Sequence, residues 1–136
     1  MSFGHKGTID TSWLASVPLL DGLTETELAR VATLGTRAEV EAGTVLVDQG
    51  DPGTYCYIVV EGSAGVYANG EYFATSGPGS TIGEMALIDH RPRTATVVAD
   101  GPMTLLRLDT RAFKALLDEM PKASERIMAI LSSRLK

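Results

Sequence analysis

Between about Arg37 and Leu108 the chain runs as short apolar stretches separated by glycine, and that rhythm leaves few folds open. Val45 to Val47, Tyr55 to Val60, Gly65 to Ala68, Glu71 to Thr75, Thr94 to Ala99 and Met103 to Leu108 carry β-branched or aromatic residues and are too short for typical helices. Asn69-Gly70 joins two of them. That dipeptide suits a two-residue hairpin turn because both residues tolerate positive φ. Gly50, Gly53 and Gly62 fall between runs, and Asp100-Gly101-Pro102 divides the last two. Strands this short and this frequent predict an antiparallel barrel or jelly roll, not a parallel α/β sheet.

Helical signals flank the strands. Thr24 and Glu27 have the spacing of a capping box, and Leu23 and Leu28 stand where a hydrophobic staple places its two residues. Leu28, Val31 and Ala32 continue as an apolar stripe. These features predict a helix over 24–34, ended by Gly35 in a left-handed conformation. Near the other end, Phe113, Leu116, Leu117 and Met120 repeat at i, i+3, i+4, i+7, with Asp109 or Thr110 as the cap. Pro121 then opens a second helix, whose stripe is Ile127, Ile130, Leu131 and Leu135. Residues 1–11 read as a flexible N-terminus and 12–136 as a single domain, beginning with a short apolar piece from Trp13 to Leu20 broken by Pro18.

Composition narrows the function. Charged residues make up 21% of the 136 and apolar residues 44%, ordinary globular usage that argues against global disorder. The net charge is −5 and the cationic side chains are scattered, which disfavours a grip on a nucleic-acid backbone. No apolar run approaches the ~20 residues of a membrane span. The first ten residues lack the basic and then apolar segments of a secretory signal, so a cytoplasmic location is expected. Cys56, the one cysteine, reads as core packing and offers neither a disulfide nor a metal pair. The two histidines, His5 and His90, cannot supply the metal cluster of a cupin-type enzyme, another small jelly roll. No nucleophile, base and orienting group stand together. The expectation is a domain that is not an enzyme and holds no metal.

One stretch carries chemistry: GEMALIDHRPRTATV, residues 83–97. Glu84 to Leu87 are good helix formers, and the start of a short helix offers free amide N–H groups that suit a phosphate. Gly83, without a Cβ, lets a ligand approach the backbone. Arg93 is a planar fork for two phosphate oxygens. Glu84 can accept from a sugar hydroxyl but would repel the phosphate, so it must face another part of a ligand. By spacing alone, the same two residues also fit a surface pair or a structural ion pair.

As a whole, the stretch resembles the phosphate-binding cassette of the cyclic nucleotide-binding domain family. That family includes catabolite activator proteins, regulatory subunits of cAMP-dependent kinase and gated ion channels. Its pattern, Phe-Gly-Glu-x-Ala-Leu and then Pro-Arg-(Ala/Ser/Thr)-Ala-Thr-Val, is matched by Ile82-Gly83-Glu84-Met85-Ala86-Leu87 and Pro92-Arg93-Thr94-Ala95-Thr96-Val97. Ile82 replaces the aromatic. Val17-Pro18-Leu19-Leu20 resembles the family's lead-in, and Gly43, Gln49-Gly50, Gly53, Tyr57 and Gly62 fall where the family places strand-turn residues. The resemblance spans about residues 12 to 135.

It implies an eight-stranded antiparallel jelly-roll barrel with helices at both ends, binding cAMP or cGMP. By position, Arg93 would pair with the cyclic phosphate and Glu84 would accept from the ribose 2′-OH. The backbone about Met85, Ala86 and Ala95 would complete the cradle, with clearance at Gly83. Thr94 takes the place of a residue that touches the phosphate and, in some members, the base. Threonine occurs there in both cAMP and cGMP binders, so it discriminates poorly; cAMP is the expectation. The base would lie against Val66 and Tyr72, with Arg126, Ile130 or Arg134 as candidate lids. Signalling would come from movement of residues 110–136 about Met120-Pro121, acting on a protein effector without direct contact to nucleic acid or insertion in a membrane. The alternative is a jelly-roll interaction module that binds no ligand.

Overall fold

The computed structural model describes residues 11–50, 54–83, 95–122, 124–125 and 128–129. A short helix α1 (Thr11–Leu14) and a 3₁₀ turn (Pro18–Leu20) lead into α2 (Glu25–Leu34). Eight strands follow: β1 (Thr36–Val40), β2 (Val45–Val47), β3 (Tyr55–Glu61), β4 (Ala64–Ala68), β5 (Glu71–Ser76), β6 (Thr81–Ile82), β7 (Thr96–Ala99) and β8 (Met103–Asp109). Helix α3 spans Thr110–Glu119. Residues 121–122, 124–125 and 128–129 are helical, so Pro121 does stand in the first turn of a second C-terminal helix.

The α2 cap forms as its sequence predicts. Thr24 Oγ1 accepts from the Glu27 N–H at 3.1 Å, and the Thr24 N–H donates to Glu27 Oε1 at 2.8 Å. A ten-residue helix is marginal alone. What holds it is the stripe Leu28, Val31 and Ala32, buried with Leu14, Val17 and Leu20 against Cys56, Ile58, Val60, Leu106 and Leu108 of the strands. Each fully buried leucine there contributes roughly 1.5–3 kcal/mol. Ala112, Phe113, Leu116 and Met120 of the C-terminal helix close the same core, and Asp109 Oδ1 caps α3 by accepting from the Ala112 N–H at 2.8 Å.

Gly35 does not adopt the expected left-handed conformation. Its φ of −96° and ψ of 173° are extended, and the chain runs directly into β1. Glycine is needed for space: a Cβ there would lie 2.6 Å from Leu106 Cδ1 and 3.0 Å from the Arg107 carbonyl oxygen. Of the glycines between strand runs, Gly50 and Gly62 do have positive φ, as does Gly43, while Gly53 lies outside the described residues.

The strands form two antiparallel sheets of four, ordered β1-β8-β3-β6 and β2-β7-β4-β5. The eight antiparallel strands and flanking helices are as expected of the jelly-roll barrel, but its closure is not shown: among the described residues no strand pairing joins one sheet to the other. The sheets meet through a second core of Val59, Ile82, Met103 and Leu105 from one and Val47, Ala64, Val97 and Ala99 from the other. Between them Tyr57 Oη donates to the Leu46 carbonyl at 3.3 Å. Asn69 (φ 52°) and Gly70 (φ 81°) make the β4–β5 turn as expected. No helix among the described residues is long and apolar enough to cross a membrane.

Candidate functional site

The two ends of the 83–97 stretch are well placed in the sheets. β6 lies at the edge of the first sheet, with Ile82 opposite Tyr57. Ile82, the residue standing for the family's aromatic, is buried in the core between the sheets. The chain then turns at Gly83, whose φ of +83° is a conformation that side chains disfavour. Glycine there is favoured by the backbone conformation itself. The chain re-enters at Ala95, half-buried, and Thr96 begins β7, an interior strand of the second sheet held by β2 on one side and β4 on the other. The intervening stretch therefore connects the two sheets. Glu84, Met85, Ala86, Arg93 and Thr94 lie outside the described residues, as do the lid candidates Arg126, Ile130 and Arg134.

The remaining two candidates, Val66 and Tyr72, stand on opposite faces of the β4–β5 hairpin. Val66 pairs with Val97 and Ala74 and packs against the core between the sheets. Tyr72 pairs with Tyr67, and their rings meet edge to face at 5.8 Å. Tyr67 in turn covers Gly65, two residues along β4 and hence on the face opposite Val66. Tyr72 is 61% exposed, and its hydroxyl bonds to Thr75 on that outer face. The cause is a bulge. Simple alternation would put Tyr72 with Ala74, on the side of Val66. The register slips between Val66 and Tyr67, leaving Phe73 as the extra residue and turning Tyr72 over.

A polar junction missed in the sequence sits at the downstream end. Thr96 Oγ1 donates to Asp48 Oδ1 at 2.9 Å and accepts from the Gln49 N–H at 3.0 Å. The Gln49 side chain clasps the hairpin tip: its Oε1 accepts from the Asn69 N–H at 2.9 Å, and its Nε2 donates to Asn69 Oδ1 at 3.0 Å. Nothing local announces it, because the partners are 20 and 47 residues apart.

The C-terminal helices are tied to the N-terminal ones. Arg30 of α2 donates from Nε and Nη2 to the two carboxylate oxygens of Glu119 at 2.9 and 3.0 Å, a bidentate pair. Those hydrogen bonds are the main cause that raises Arg30 and lowers Glu119 from their ordinary pKa values; the opposite charge acts the same way, and desolvation opposes both, at Glu119 more strongly than the charge assists. Lys122 Nζ donates to the Gly22 carbonyl at 2.9 Å, just past Pro121.

A family model described as the cyclic nucleotide-binding domain matches residues 37–120, more than half of the chain. The chain belongs to the cyclic nucleotide-binding domain family. The domain is 34% identical over 111 residues to the Pycsar effector protein XpPycTIR of Xanthomonas perforans, covering 80% of this chain and 37% of that protein. Among solved structures it is similar to the Thermus thermophilus catabolite activator protein, with a TM-score of 0.80 and 31% identity over 87% of this chain and 58% of the other. It also resembles the regulatory domain of Toxoplasma gondii PKA, crystallised with cAMP, with a TM-score of 0.78 and 31% identity over 91% of this chain and 48% of the other. The chain thus spans roughly a third to three-fifths of the length of these relatives.

Proposed function

We propose that this domain is a cytoplasmic sensor of a 3′,5′-cyclic nucleotide, cAMP in preference to cGMP, which reports occupancy to a protein effector through its C-terminal helices. The observation that carries the reading is the 83–97 stretch, which lies inside the family match and has an acid and an arginine at the motif's two functional positions. A cyclic phosphodiester bears one negative charge. Arg93 would neutralise it and bind two of its oxygens, and the amides of Met85 and Ala86 would add donors without adding charge. Glu84 would accept from the ribose 2′-OH, away from the phosphate that repels it. Gly83 allows the backbone its turn, Thr94 and Ala95 would line the phosphate side, and Val66 would offer the base an apolar wall. Tyr72, on the outer face of the hairpin, would stand apart from that wall. The domain would bind without carrying out chemistry itself.

Calorimetric titration with cAMP, cGMP, cCMP and cUMP tests this. Wild type should saturate with one equivalent, with cAMP tightest. Arg93→Ala should bind at least roughly a hundred-fold more weakly, since two charge-assisted hydrogen bonds at about 1.5–3 kcal/mol each are lost. A wild type that takes none of the four would leave an interaction module without a small ligand.

The output would follow from differential affinity: the ligand shifts the C-terminal helices only as far as it binds one arrangement better than another. Pro121 breaks the helical run, and Lys122 and Glu119 sit on either side of the break, each tied to the N-terminal helices. Amide exchange across 121–136 should differ between free and nucleotide-saturated protein, and unchanged exchange would refute the movement.

A further inference from the structure

The junction at Thr96 has a role that stability alone does not explain. Asp48, Gln49 and Asn69 are all exposed, so water would serve their polar groups nearly as well as they serve one another. Ordering a long Gln49 side chain also costs rotamer freedom. The net contribution of these bonds to folding is small, while the geometry they impose is strict. The Thr96 hydroxyl is both donor and acceptor, and the Gln49 carboxamide can be oriented only one way, with oxygen toward the Asn69 N–H and nitrogen toward its side-chain oxygen. That N–H belongs to the hairpin turn, whose ladder ends at Ala68 and Glu71, so the clasp takes a donor that strand pairing does not use.

What the junction joins is specific. Tyr67 pairs with Thr96 and Val66 with Val97, so the strand carrying Val66 and the strand following Arg93 share one ladder. Thr96 is three residues beyond Arg93, within about 11 Å of chain even when fully extended. Residues 48–49 bridge that point to the tip of the β4–β5 hairpin. We propose that Thr96, held by Asp48 and Gln49, is a positioning residue for the ligand site: it fixes the downstream end of the arginine-bearing segment relative to the apolar wall at Val66. The inference rests on the cyclic-nucleotide reading above.

The test is titration of wild type, Thr96→Val, Thr96→Ser and Gln49→Ala with cAMP and cGMP, with thermal melting in parallel. Valine keeps the shape and the strand preference of threonine and removes only the hydroxyl. Outer partners that orient metal ligands commonly account for roughly ten- to a hundred-fold in affinity, and Thr96→Val and Gln49→Ala should each weaken binding by about ten-fold. Thr96→Ser, which restores the hydroxyl, should stay within about three-fold of wild type on the same reasoning. Melting temperatures should hardly move. Wild-type affinity in Thr96→Val, or a Thr96→Ser protein as weak as Thr96→Val, overturns the inference while leaving the ligand reading intact. Should Thr96→Val not fold, Gln49→Ala decides by the same criterion. A wild type that binds neither nucleotide overturns the ligand reading and the inference together.

Discussion

Gly43 and Gly62 both adopt positive φ in strand turns, yet their replacement by alanine should have unequal effects. At Gly43 (φ +86°) nothing lies within 4 Å of where a Cβ would stand. Gly43→Ala meets only the left-handed penalty of about 1–2 kcal/mol, partly offset by about 0.4–1 kcal/mol from a less free unfolded chain. The net loss is about 1 kcal/mol. At Gly62 (φ +91°) the same penalty applies, and the new Cβ would lie 2.6 Å from the Pro102 carbonyl oxygen and 3.0 Å from Met103 Cα. Both are backbone atoms, so no rotamer change relieves the clash. Met103 is buried between the sheets, and any shift is passed into that core. Overpacking of this kind adds about 1–3 kcal/mol, which brings Gly62→Ala to a loss of about 2–4 kcal/mol. Urea unfolding followed by circular dichroism measures both. With a slope of about 1.5 kcal/mol/M, the midpoint should fall by roughly 2 M for Gly62→Ala and by less than about 1 M for Gly43→Ala. Equal midpoints for the two variants would refute the reasoning, because they would make backbone conformation the whole effect.

Tyr72→Ala should leave nucleotide affinity within about two-fold of wild type, while Val66→Ala, on the inner face, should weaken it by about ten-fold for the lost apolar contact; titration of both variants checks which face holds the ligand. The Arg30–Glu119 tether should depend on pH in a defined direction. Glu119 is held below its ordinary pKa in the folded protein, so the contribution is complete at neutral pH and is lost as pH falls through the folded value. Wild type and Glu119→Gln should therefore differ in melting temperature at neutral pH and converge in acid, and high salt should narrow the gap because both partners are solvent-exposed.

Features whose cause is local were legible in the sequence. The α2 cap depends on four consecutive residues, Thr24 to Glu27, and the Asn69-Gly70 turn on two. The cassette is contiguous too, so its candidate ligand residues could be named by position. Features that depend on distant neighbours were not legible. β1 reads Thr-Arg-Ala-Glu-Val, with too little apolar character to stand out. It becomes a strand by pairing with β8, where Ala38 lies opposite Leu105. β6 is two residues long and exists by pairing with β3. Gly35 resembled a left-handed helix stop, but its need for glycine comes from Leu106, far along the chain. One bulged residue, Phe73, was enough to turn Tyr72 to the other face. The hydrogen bonds of Gln49 and Thr96 depend on both strand order and turn geometry.

The bidentate pair between Arg30 and Glu119, together with the Lys122 contact to Gly22, adds polar ties between the α2 region and the C-terminal helices. A pull on the C-terminal helices is thereby a pull on α2. The same two groups of helices also share an apolar core, so a displacement of one would reach the other through packed side chains even with the polar ties cut, and the ties would tune that linkage without creating it.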